Sequence, residues 1–110
     1  MSIDQVFEAL SSRTRREILA YLSAQELPAG EIADRFEMSG PAISRHLTVL
    51  SNAGLVTSER RGQFVFYKLK EENLINTLTG FAFEVCPTAG PLKREARAKA
   101  KTNPSTKKSG

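Results

Sequence analysis

Apolar residues recur at helical spacing along most of this chain, and one β-type interruption divides it. Ile3, Val6, Phe7 and Leu10 fall on one side of a short helix over residues 3–11. Ser11-Ser12 breaks the pattern, and Ile18, Leu19 and Leu22 resume it in a second helix. Leu27-Pro28-Ala29-Gly30 reads as a connector. Ile32, Ala33 and Phe36 then define a third helix over residues 30–37, and Glu37-Met38 is a turn into a fourth. That fourth stretch, Ser39 to Gly54, has both ends marked: Ser39 is a good N-cap, Pro41 sits in the first turn where a missing N–H does no harm, and Gly54 is a natural stop. Ile43, Leu47, Leu50 and Ala53 form its apolar stripe, whereas Ala42, Ser44, Arg45, His46 and Thr48 are small, hydrogen-bonding or cationic. Leu55–Arg60 and Phe64–Leu69 are β-type segments joined at Arg61-Gly62-Gln63. From Glu71 to Cys86 helical spacing returns, with Leu74, Ile75, Leu78, Phe81, Ala82 and Val85 along one side and a Gly80 that costs about 1 kcal/mol against Ala.

This order predicts a mainly α domain with a β-hairpin. Two short helices joined by a few residues, the second amphipathic with a polar outer face, make a helix-turn-helix, and a hairpin directly after the second helix is a wing. The outer helix suits a DNA major groove. The wing tip carries Arg60, Arg61 and Gln63, read either as contacts to phosphate or the minor groove or as a solubilising hairpin tip. The first and last helices present long apolar faces, read either as a dimer surface through Ile3, Val6, Phe7, Leu74, Leu78, Phe81 and Val85 or as packing within one subunit. Arg13, Arg15 and Arg16 at the start of the second helix oppose its dipole. They are either solvated, with an ion pair to Glu17 or Glu8, or a clamp on phosphate.

Charge changes the picture in one respect. The chain of 110 residues is formally +4, but residues 1–92 hold nine Lys/Arg against eleven Asp/Glu and residues 93–110 hold seven against one. Nucleic-acid binding by residues 1–86, the folded domain, must therefore rest on local placement of cations. Residues 87–110 read as a basic, disordered tail, solvated or serving as a non-specific DNA arm. One cysteine, Cys86, excludes an intramolecular disulfide, and a buried, inert thiol is the expectation for it, ahead of a bridge between two copies. With a single cysteine and a single histidine, no metal or other cofactor is expected. The absence of a long apolar run or a leader-like N-terminus points to a soluble, cytoplasmic protein that does not contact membrane.

Three stretches together carry a family resemblance: A-L-S-S-R-T-R-R-E-I-L at 9–19, G-E-I-A-D-R-F-E-M-S-G-P-A-I-S-R-H-L-T-V-L-S-N-A-G-L-V at 30–56, and R-R-G-Q-F-V-F-Y-K-L at 60–69. They resemble the ArsR family of winged helix-turn-helix repressors, and within it the SdpR-type autorepressors, which have no recognised metal site. The resemblance implies four helices, a two-stranded wing and a last helix, a homodimer built by the first and last helices, and operator binding by the fourth helix and the wing. Carried over by position, DNA contacts fall at Gly40, Pro41, Ser44 and Arg45, with Ser39 capping and Arg60, Arg61 and Gln63 on the wing. Arg45 is the expected base reader, because a guanidinium bonds O6 and N7 of guanine together. His46 is read as a phosphate contact or, equally, as a partly packed neutral imidazole. The chain departs from metal-sensing members: Glu31, Ile32, Ala33 and Asp34 stand where a cysteine motif occurs, and residues 71–86 contain no histidine. Arg13 replaces a frequent proline, and Gly40 and Ala42 replace polar side chains, so fewer groups on the helix can read bases.

An enzyme is not supported, since no nucleophile and base can be paired from Cys86 and His46 and no phosphate loop is present. RNA is disfavoured because the A-form major groove does not admit a helix. The expectation is a homodimeric, sequence-specific repressor on double-stranded DNA, autoregulatory by resemblance. Its rival is a winged-helix module for protein contact without operator binding. Release is left to a partner protein, a small molecule at the dimer interface or falling concentration.

Overall fold

The computed structural model describes residues 2–86. In chain order the elements are α1 (Ile3–Leu10), α2 (Arg13–Ala24), β1 (Leu27–Pro28), α3 (Ala29–Phe36), α4 (Gly40–Asn52), β2 (Val56–Arg61), β3 (Phe64–Leu69) and α5 (Glu71–Val85). Two compact units divide the chain, the first ending at Leu74 and the second starting at Ile75. The basic tail expected from Pro87 onward lies outside the described residues.

Serine starts three of the helices. Ser2 Oγ accepts from the Gln5 N–H at 3.1 Å while Gln5 Oε1 accepts from the Ser2 N–H at 3.3 Å, a reciprocal capping box. Ser12 and Ser39 cap α2 and α4 through the N–H groups of Arg15 and Ala42. α4 ends where its sequence says it should: Gly54, at φ +78°, reverses the chain, and the Leu55 N–H returns to the Leu50 carbonyl at 3.0 Å. α3 ends less comfortably on Glu37, a non-glycine residue at φ +53°.

In the first unit, Val6, Ala9, Ile18, Leu22, Leu27, Ile32, Ile43, Leu47, Leu50 and Leu55 make one apolar core. No polar or charged described residue is buried. Leu27 corrects one expectation. The segment Leu27-Pro28-Ala29-Gly30 is not merely a connector: Leu27 and Pro28 pair antiparallel with Tyr67 and Phe66, and α3 already begins at Ala29. Two residues are too few to show a period, and Pro28 can join only at an edge because it has no N–H to give. The sheet order is β1-β3-β2.

The first strand of the hairpin is shifted by one residue from its expected bounds, while the second keeps Phe64–Leu69. β2 runs Val56–Arg61, Arg61 faces Phe64 across the ladder, and the loop is Gly62-Gln63 with φ +65° at Gly62. Positive φ at the first loop residue is the hairpin-turn geometry that matches strand twist.

Val6 is fully buried in the subunit's own core, and Leu74 is half-buried and packs against that core. Ile3 and Phe7 are exposed on α1. In the second unit the α5 side chains Ile75, Leu78, Phe81 and Val85 are exposed, Ile75 to 61%. Cys86 is exposed just past the end of α5, which overturns the expected buried thiol.

Candidate nucleic-acid interface

α4 carries two faces, and its packing decides which one meets a ligand. Ile43, Leu47 and Leu50 are buried against the core, leaving Gly40, Pro41, Ser44, Arg45 and Thr48 exposed on the outer side. Ser39 is committed to its cap. Among the described residues, Arg45 enters no salt bridge or hydrogen bond, so its guanidinium can turn to a ligand without breaking one. A side chain at Gly40 would meet nothing within 4 Å, so the lean first turn is not a packing requirement of the fold.

His46 points differently. Its Nδ1 lies 3.3 Å from a terminal nitrogen of Arg15, and since a guanidinium only donates, Nδ1 accepts and the ring is neutral with its proton on Nε2. Partial burial first, then the charges of Arg15 and Arg45, hold its pKa below the ordinary histidine value. Of the two readings offered for His46, the packed neutral imidazole describes its position in the free chain.

Two of the three arginines at the head of α2 have a different job from either one expected of them. Arg15 donates from Nε to the Ala9 carbonyl at 2.9 Å and from Nη2 to the Glu8 carbonyl at 3.0 Å, and Arg16 donates to the Leu10 carbonyl at 2.6 Å. α1 has no basic residue in its own last turn. The next helix supplies the cations that satisfy its terminal carbonyls, which offsets their unfavourable place at the start of α2. Only Arg13 takes the expected ion pair, with Glu17 at 3.2 Å.

On the wing the one-residue shift has a chemical consequence. Successive side chains of a strand point to opposite faces, so Arg60 and Arg61 separate. Arg61 turns to Glu26 at 3.0 Å and Glu59 at 2.8 Å, with its guanidinium 4.6 Å from the centre of the Phe66 ring. That pairing raises the already high pKa of Arg61 and lowers that of Glu59. Arg61 is therefore a strand residue held by two carboxylates, not a free cation at the tip. Arg60 and Gln63 remain exposed, and Arg60 is in no salt bridge among the described residues.

Two hydrogen bonds fix the wing's base to the end of α4. The Lys70 N–H reaches the Leu55 carbonyl at 2.8 Å, and the Asn73 side-chain amide reaches the Gly54 carbonyl at 2.7 Å. Ser44, Arg45, Arg60 and Gln63 thus sit on elements whose junction is tied. Clefts elsewhere in the first unit are of another kind: a polar one of about 300 Å³ beside Arg61 and one of about 410 Å³ between α2 and α3, lined by Tyr21, Phe36, Arg35, Glu17 and Ala20. No group of three His, Cys, Asp or Glu side chains among the described residues could hold a metal ion. No helix among them is long and apolar enough to cross a membrane.

Residues 10–59 match the model of a family described as a helix-turn-helix domain. The chain is 39% identical over 82 residues to the transcriptional repressor SdpR of Bacillus subtilis, a match covering 72% of this chain and 91% of SdpR. The chain belongs to the ArsR family of winged helix-turn-helix transcriptional repressors. Another ArsR-type relative, the uncharacterized HTH-type regulator YuzN of the same bacterium, is 40% identical over 85 residues, covering 71% of this chain and 92% of YuzN. Among solved structures, an ArsR-like transcriptional regulator from Rhodococcus sp. RHA1 superimposes with a TM-score of 0.71 at 30% identity over 94% of each chain. Within this ArsR architecture, the contributions that sequence reading missed are those of Arg15, Glu26 and Glu59. The signal for Arg15 was present: a two-residue break between helices places the first-turn cations of one beside the last carbonyls of the other.

Proposed function

We propose that this ArsR-family repressor acts as a homodimer on a pseudo-palindromic operator. α4 of each copy enters the major groove, in half-sites about 34 Å apart. Arg45 reads a base edge with Ser44 beside it, and Arg60 and Gln63 hold the flanking backbone. The observation that carries this reading is the exposed, unpaired Arg45 on the outer face of a helix whose other face is core. Exposed apolar side chains on α1 (Ile3, Phe7) and on α5 (Leu78, Phe81, Val85) support association of two copies through helices.

Occupancy of such an operator blocks polymerase. Autoregulation is carried over from the resemblance to the SdpR-type autorepressors, and the similarity to the transcriptional repressor SdpR supports the repressor role it needs. Footprinting the full chain on its own promoter region tests this. Protection in two symmetric blocks is expected; no protection there, with protection of other promoters, removes autoregulation alone. Failure to protect any duplex removes operator binding.

A further inference from the structure

The apolar core beneath α4 resists separation of the helices but is non-directional, so it does not by itself fix how α4 is turned. A directional tie is supplied by Arg15. Each of its three nitrogens makes a bond: Nε to the Ala9 carbonyl, Nη2 to the Glu8 carbonyl and Nη1 to His46 Nδ1. The first two anchor the guanidinium to the end of α1. The third reaches the middle of α4, between Arg45, which faces outward, and Leu47, which is buried.

We propose that Arg15 is a positioning residue for the DNA-reading helix, pinning α4 to the end of α1 through a neutral His46, so that base reading weakens when His46 takes a proton. The proposal rests on the reading of α4 as the groove helix. A protonated Nδ1 has no lone pair, and the Arg15 bond cannot exist in that state. The charged groups that bear on the imidazole are Arg15 from α2 and Arg45 from α4 itself, while α1 contributes the two carbonyls that hold Arg15. Protonation therefore gathers three cations, and the imidazolium is driven away from Arg15. Its new charge also attracts phosphate of any sequence. The two effects separate in measurement: affinity for a cognate duplex falls relative to a scrambled one, although scrambled affinity itself does not fall.

The probe is a duplex enriched by the full-length wild-type chain from a random-sequence pool at pH 8, with its scrambled counterpart. The ratio of the two affinities should drop about tenfold as pH falls from 8 through the midpoint of the His46 ring titration, the size of one weakened base contact. His46→Asn places a non-titrating acceptor near the position of Nδ1, and its ratio should be independent of pH. His46 is the chain's only histidine, so its ring resonances report the titration directly. In Arg15→Ala the midpoint should rise.

A wild-type ratio that stays flat through the midpoint of the ring titration, a His46→Asn ratio that falls like wild type, or an unmoved midpoint in Arg15→Ala overturns the proposal alone. Failure to enrich any duplex at pH 8 overturns operator binding, and the proposal with it.

Discussion

Arg61 and Glu26 lie 35 positions apart and meet at 3.0 Å, joining the last residue of β2 to the residue before β1. With Glu59 on the same guanidinium, two carboxylates more than offset the charge of Arg61 on that face of the wing. Arg60, on the opposite face, is the cation left for phosphate. Arg60→Ala should lower affinity on cognate and scrambled duplexes alike and reduce the salt slope by about one. Arg61→Ala should leave the slope nearly unchanged. An equal drop for Arg61→Ala would show that the carboxylates release it on DNA.

Arg45 carries the specificity claim. Arg45→Ala should cost about 1–3 kcal/mol on the cognate duplex and much less on a scrambled one. Equal losses on both would place Arg45 on phosphate.

Glu37 ends α3 in a conformation that glycine adopts freely. Glu37→Gly should stabilise the protein by about 0.5–1 kcal/mol in urea unfolding, the relief of the left-handed backbone outweighing the added freedom of the unfolded chain. A loss of stability would reveal a compensating contact of the Glu37 side chain.

Asn73 donates to a half-buried carbonyl at Gly54. Asn73→Ala should lower stability by about 1 kcal/mol. It should also weaken wing-dependent DNA binding, measured as a smaller penalty for a subsequent Arg60→Ala.

His46 gives stability a pH dependence of definite sign. Its folded pKa lies below the unfolded value of about 6.5, so just below that pH the unfolded chain binds the proton first. The contribution is complete above about pH 6.5 and declines as pH falls through the window down to the folded pKa, below which it is flat. Urea midpoints at pH 7.5 and 5.5 should differ in that direction, and His46→Asn should shrink the difference. Glu59 and Glu72, whose pKa values are also lowered, act in a separate window below about pH 4.5.

Helices were legible wherever a stripe of apolar residues faced the core. Ile18, Leu19 and Leu22, and likewise Ile43, Leu47, Leu50 and Ala53, are buried as their spacing requires. The caps at Ser39 and Gly54 were readable for the same reason, since each depends on local backbone chemistry. β1 was not, because its pairing with β3 is long-range and its two residues carry no period. Placing the end of β2 one residue early was a small error of position with a large chemical result, since alternation sends Arg61 to the face opposite Arg60. The role of Arg15 needed the packing of α1, α2 and α4 together; its charge alone fitted solvent and phosphate equally well. Cys86 was misread because a stripe ending at Val85 says nothing of the residue beyond the helix.

Pro28 has one further effect. As an outer strand, β1 would offer its free edge to any passing chain, but at Pro28 that edge has no N–H to donate, and only two residues are extended. The other edge, along β2, carries Glu59, Arg60 and Arg61. Both margins of the sheet therefore resist growth by strand addition, which guards a small repressor against edge-to-edge aggregation when it is made in excess of its operators.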